Sequence, residues 1–165
     1  GYRARFFDNF FSKLRLDTGN GNTITVPDFQ DFVDPEPFRG VMSDLYYQSP
    51  SEDAFVREVW HIATQLTTYT NETLEIPRFP LETLLAGGGD CEDSSILVAS
   101  MLAAAPVNWD IEFVYMDGQF PANPRSLNHV LVYVNTYQQE YWIETTNSQV
   151  MEPHPQIVGW YHPAK

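Results

Sequence analysis

The segment Gly87-Gly88-Gly89-Asp90-Cys91-Glu92-Asp93 and the apolar run that follows it, Ile96-Leu97-Val98-Ala99-Ser100-Met101-Leu102-Ala103-Ala104-Ala105, constrain this chain most. A helix that is apolar on nearly every side has to lie in the middle of a fold. Asp90 is a good N-cap, Asp93 adds a carboxylate near the positive helix end, and Pro106 stops the run. The three glycines let other backbone approach the start of that helix closely. The chain must therefore supply layers around one helix that begins near Cys91.

The rest of the 165-residue chain supplies them. Its length suggests one domain with room for a real core. A hydrophobic content of 43% and an aromatic content of 15% fit a folded protein. Ile111–Met116, His129–Val134 and Glu140–Thr146 read as strands. Asn135–Gln139 is a turn that makes the last two an antiparallel hairpin. Upstream, Ser49-Pro50-Ser51-Glu52 reads as a helix start, with Ser49 as cap, Pro50 in the first position and Glu52 closing a capping box. Phe55, Val59, Ile62 and Leu66 then form its apolar face, to about Thr68. A loop holding Pro77 and Pro80 leads through Leu81–Leu85 to the glycines. Before Gln48 the chain reads as irregular. Phe6, Phe7, Phe10, Phe11 and Leu14 have helical spacing, and Pro27 to Pro37 is a loop rich in proline and acid. The tail from Asn147 also reads as irregular. The expected fold class is α+β, with residues 1–48 an N-terminal extension packed on a domain spanning 49–165.

Charge narrows the partners. Twenty-two acidic against nine basic residues give a net charge of -13, which repels nucleic acid and anionic lipid. Basic or neutral peptides approach such a surface more readily than acidic ones. A single cysteine excludes an intrachain disulfide and a multi-cysteine zinc site, and leaves the redox compartment open. No apolar run reaches the ~18 residues needed to span a membrane, and no signal peptide is visible. Asp17–Asn22 alternates Asp and Asn but lacks the closing Glu of a calcium loop, so a turn is expected. Asn71-Glu72-Thr73 matches a glycosylation pattern that arises often by chance.

Cys91 is the chemical centre of the opening segment. A thiol on the first turn of a helix feels free backbone N–H groups and the positive end of the macrodipole, which favour a thiolate. The same N–H groups can stabilise an oxyanion. Asp90, Glu92 and Asp93 work against the thiolate, so the chemistry needs a cation, either an imidazolium or a metal. His129 opens one strand of the expected hairpin and Glu144 lies on the other, so pairing brings them together. A nucleophile, a base and a carboxylate that orients the base make a triad. His61, His154 and His162 are the other imidazoles. His61 is expected to pack beside Trp60, and Glu82 and Asp93 to be surface or capping residues.

GGGDCEDSSIL, HVLVYV and YWIETT, in that order, resemble the transglutaminase-like superfamily, and Pro80-Leu81-Glu82-Thr83-Leu84 is similar to the family's approach to its cysteine. The resemblance covers about Ser49 to Thr146 and is nearest to archaeal and bacterial extracytoplasmic members. It implies a papain-like core with the cysteine helix packed on an antiparallel sheet. It also implies Cys91 as nucleophile, His129 as general base and acid, and Glu144 as the orienting carboxylate. Many relatives have Asp in the third position, so the extra methylene of Glu has to be absorbed by register or rotamer. The Cys91 N–H would be one oxyanion donor, with Gln65, Tyr69 or Trp60 as a second. GDCED is also similar to transglutaminase-like cysteine peptidases, some of which bind calcium beside the nucleophile. Asp90 and Glu92 match those positions, although Asp90 has a sufficient role as a cap. No cofactor is required by this chemistry. The expected activity is thiol-dependent acyl transfer on the amides of a protein or peptide substrate, with proteolysis favoured. Alternatives are a transglutaminase or amidase with the same triad, an inactive binding module on this fold, and a metal-dependent hydrolase. An extracytoplasmic location follows from the resemblance. Oligomeric state stays open.

Overall fold

A computed structural model describes residues 12–17, 21, 23–69, 77–145 and 157–165, with backbone alone at Thr68 and Tyr69. Phe6, Phe7, Phe10 and Phe11, the Asn71-Glu72-Thr73 triplet, Thr146 and His154 lie outside the described residues. The central helix α4 spans Cys91–Ala103. Every residue from Asp93 to Ala103 is buried in it, as its apolar composition requires. Asp90 caps it, accepting from the N–H groups of Glu92 and Asp93 at 3.1 Å each.

The main sheet is antiparallel, in the order β7-β6-β5-β8. Its strands are β5 (Asp110–Met116), β6 (His129–Asn135), β7 (Glu140–Ile143) and β8 (Gly159–Pro163). Residues alternate between its faces. Ile111, Phe113, Val130, Val132, Val134, Tyr141 and Ile143 face the core that holds α4. Val114, Met116, Leu131 and Tyr133 form a smaller cluster on the reverse side with Trp142 and Ile157. The tail expected to be irregular thus contributes an edge strand. Its aromatic residues are bonded into place, with Trp142 Nε1 donating to Tyr161 Oη at 2.9 Å and Trp160 Nε1 to the Asp17 carbonyl at 2.5 Å.

The first half is more ordered than its sequence suggests. Lys13–Asp17 is a strand, β1, and not the end of a helix; it pairs antiparallel with β2 (Thr23–Pro27). Most of the expected Asp17–Asn22 turn, residues 18–20 and 22, lies outside the described residues. Pro27 to Pro37 contains two 3-10 turns, Phe29–Phe32 and Glu36–Phe38, and α1 (Arg39–Gln48) follows. Asp28 caps the first turn by accepting from Gln30 N–H, which frees Phe29 and Phe32 to enter the core. Leu16 and Met42 join them there. Ser49 ends α1, its N–H bonding the Leu45 carbonyl, and the cap of α2 (Glu52–Leu66) is Ser51, two residues later than expected. Ser51 Oγ accepts from Ala54 N–H at 3.1 Å. The buried face of α2 is Phe55, Val56, Val59 and Ala63, while Leu66 is exposed. Thr68–Tyr69 is a short strand, β3, and Gly88–Gly89 its parallel partner, β4. Between them Pro80–Ala86 forms helix α3 where a loop was expected, with Pro80 in its first turn and Glu82 accepting from Phe79 N–H. No helix among the described residues is long and apolar enough to cross a membrane.

Candidate active site

The glycines of the opening segment have separate jobs. Gly87 ends α3 in the left-handed conformation at φ 78°, where its N–H reaches the carbonyls of Thr83 and Leu84. Gly89 passes over Asp93 so tightly that an added Cβ would lie 2.6 Å from the Asp93 Cβ and against its Oδ2. Asp93 is therefore neither a surface residue nor a mere cap. It is buried beneath the glycine turn, accepting from Arg78 N–H at 2.9 Å, with Arg78 Nη1 3.6 Å from Oδ2. Burial, with the nearby Asp90, pushes its carboxyl up to about 7 against the pull of Arg78. This buttress fixes the turn that delivers Cys91 to the head of α4.

Cys91 is half-buried. Cys91 is among the groups that favour the charged form of His129, the first residue of β6. Ser95 Oγ, one turn further along α4, donates to the Val130 carbonyl at 3.3 Å and holds helix and strand together beside that pair. On its other side His129 Nε2 lies 2.7 Å from Glu144 Oε2. Since Nε2 serves Glu144, Nδ1 is the nitrogen left for Cys91. Burial works against the charged ring, but the interactions with Cys91 and Glu144 outweigh it and push His129 up to about 10. They favour the imidazolium, the kind of cation that carboxylates flanking Cys91 call for.

Glu144 follows β7 directly. The β6–β7 register sets Val132 opposite Ile143, so by extension Glu144 stands diagonal to His129. A diagonal neighbour is within reach of a long side chain, which is how the extra methylene of Glu over Asp is absorbed. The residue is held at three points. Oε2 meets His129, Oε1 accepts from Thr145 N–H at 3.0 Å, and its carbonyl accepts from Trp60 Nε1 at 2.8 Å.

That last bond revises the oxyanion expectation. The Trp60 N–H, proposed as a second donor, is committed to the Glu144 carbonyl. Gln65 is exposed and its amide bonds His61 at 2.8 Å. Tyr69 is described by backbone alone, and that backbone runs beside Gly89. No sequence signal pointed to the Trp60 link, which spans 84 positions.

The loop before His129 is organised by Asp117. The N–H groups of Arg125, Gln119, Phe120 and Ser126 hold its carboxyl well below the usual carboxylate range against the effect of burial. Asn128 joins in, donating to Asp117 and accepting from Gly118 N–H at 2.8 Å. Asp and Asn at the two ends of a loop are a readable signal for such self-bonding, although the sequence alone did not single them out.

The calcium expectation finds little support in the donor set. Calcium takes about six to eight oxygens. Among the described residues no group of three or more His, Cys, Asp or Glu side chains is placed to hold a metal. Asp90 Oδ1 is taken by two N–H groups, and Asp93 faces Arg78. The same donor set offers nothing to a metal-dependent hydrolase. His162 lies apart from Cys91 in the sheet, 3.4 Å from Asp28 Oδ1.

No family model and no curated protein matches the sequence. Solved structures do match the fold. Legionella pneumophila LapG aligns in an EGTA-treated form (TM-score 0.53, 14% identity, 78% of this chain and 80% of that chain). Its calcium-bound form aligns likewise (TM-score 0.53, 14% identity, 77% and 82%). A Cytophaga hutchinsonii protein assigned as a cysteine protease aligns at TM-score 0.55 and 13% identity over 79% of this chain. The aligned part is 44% of that longer protein. At these identities the likeness is one of architecture. This likeness gives the chain, with its Cys91 helix packed on an antiparallel sheet, a transglutaminase-like α+β fold.

Proposed function

We propose that this chain is a cysteine peptidase in which Cys91, His129 and Glu144 act as a triad. The observation that supports the reading is His129 Nε2 held 2.7 Å from Glu144 Oε2, with Cys91 among the groups that favour the charged ring. Its fold neighbours include a protein assigned as a cysteine protease, which supports hydrolysis as the outcome.

The chemistry follows from the geometry. The Cys91 sulfur attacks the carbonyl carbon of a peptide bond, and the C=O electron pair moves onto oxygen. The Cys91 N–H, left over when Asp90 takes those of Glu92 and Asp93, lies at the positive end of α4 to receive that charge. The tetrahedral species collapses, the C–N bond breaks, and the departing nitrogen takes the proton from His129. A thioester remains. His129, now neutral, removes a proton from water as the water adds, and collapse frees the acid and the thiolate. Glu144 keeps the ring oriented and stabilises its positive charge throughout. Resemblance to extracytoplasmic members supports a location outside the cytoplasm.

The test is mass spectrometry of a random peptide mixture incubated with the protein and with Cys91→Ala. New termini that appear with the native chain and vanish with the variant are expected. The same products from both proteins would overturn the reading. So would incorporation of an added primary amine in place of water, which would make the protein a transglutaminase.

A further inference from the structure

A cavity of about 240 Å³ opens beside His129. It is smaller than the roughly 300–1,000 Å³ of sites that enclose a whole ligand, and so suits one side chain. Ile24 and Val26 of the β1–β2 hairpin line it together with Leu127, Val130, Tyr115 and Glu92, and the rest of the lining includes Thr25 and Asn128. The hairpin lies in the N-terminal region, which therefore shapes the cleft as well as bracing the core.

Glu92 gives the cavity its chemical character. Of the three carboxylates around Cys91, neither Asp90 nor Asp93 lines this cavity. Glu92 is the one that lines this cavity together with His129. A mixed lining that sets apolar side chains of β2 alongside a carboxylate matches a long aliphatic stem with a cationic head. The net charge of -13 favours the approach of such a group.

Resting on the peptidase reading above, we infer that this cavity is a substrate subsite for a lysine or arginine side chain, selected by Glu92. The hairpin wall of β2 holds the stem and the Glu92 carboxylate takes the head. Binding would also offset a negative charge beside the nucleophile.

Two readouts test this. In the first, peptide mixtures carrying lysine or its uncharged isostere norleucine at each position are digested by the native protein and by Glu92→Gln, and the lysine/norleucine ratio is read at each position. A ratio of about tenfold or more at one position, collapsing in the variant, is expected for a charge-assisted bond. A flat ratio, or a preference unchanged in the variant, overturns the subsite. In the second, Cys91 alkylation by iodoacetamide is followed with n-butylguanidinium or n-pentanol present. Protection by the cation alone, lost in Glu92→Gln, is expected even if no peptide is cut, and that combination would sink the peptidase reading while sparing the subsite. Equal protection by both compounds, or by neither, overturns the subsite.

Discussion

At the scale of the residue, the account rests on the state of His129. Cys91 and the bonded Glu144 favour the protonated ring in the folded chain, while an unfolded histidine titrates near its ordinary value of 6.5. A raised pKa means that the folded state binds the proton more tightly. The resulting stability is fully present below the ordinary value and is lost as pH rises through about 10. Unfolding titrations from pH 6 to 10.5 should therefore show the native chain losing stability relative to His129→Ala across that window. Parallel curves for the two proteins would mean that the ring is not held as an imidazolium. Asp93 has the opposite character for a carboxylate, favouring its neutral form through burial. It serves the site by filling the space under Gly89 and by receiving Arg78 N–H, without touching the sulfur chemistry.

At the scale of elements, the site depends on how α2 and β7 are fastened. Near one end Tyr141 donates to Asp53 Oδ1 at 2.6 Å, and near the other Trp60 Nε1 holds the Glu144 carbonyl. The Tyr141 bond is the first cause holding the Asp53 carboxyl below its ordinary value, so this end is a charge-assisted contact. Trp60→Phe keeps most of the ring and removes the N–H. A net loss of about 1 kcal/mol in holding Glu144 is expected. That predicts a roughly fivefold fall in kcat with little change in KM, as expected of a residue that acts through another. An unchanged kcat, or a rise in KM alone, would show that the bond does not position the carboxylate.

At the scale of the whole molecule, the elements set by local pattern were legible and those set by distant pairing were not. The buried helix, its Asp90 cap, the β5–β7 strands and the His129–Glu144 contact follow from local periodicity and a tight turn. The misread parts lack that local logic. Phe29 and Phe32 enter the core from 3-10 turns, which have no period long enough to recognise. Lys13–Asp17 sits next to helically spaced phenylalanines, yet its strand is fixed by pairing with Thr23–Pro27. Edge strand β8 is specified by its neighbour β5, more than forty positions upstream. The Trp60 and Arg78 contacts cross the fold and leave no mark at the level of spacing. Everything that surrounds α4 nonetheless converges on one claim, that His129 makes Cys91 a nucleophile. The most direct measurement is the rate of Cys91 alkylation by iodoacetamide from pH 4 to 9, in the native protein and in His129→Ala. The account predicts fast labelling at neutral pH in the native protein, and in the variant a slow rate that rises only towards the ~8.5 of an ordinary thiol. Identical profiles in the two proteins, or labelling of Cys91 only on unfolding, would contradict it.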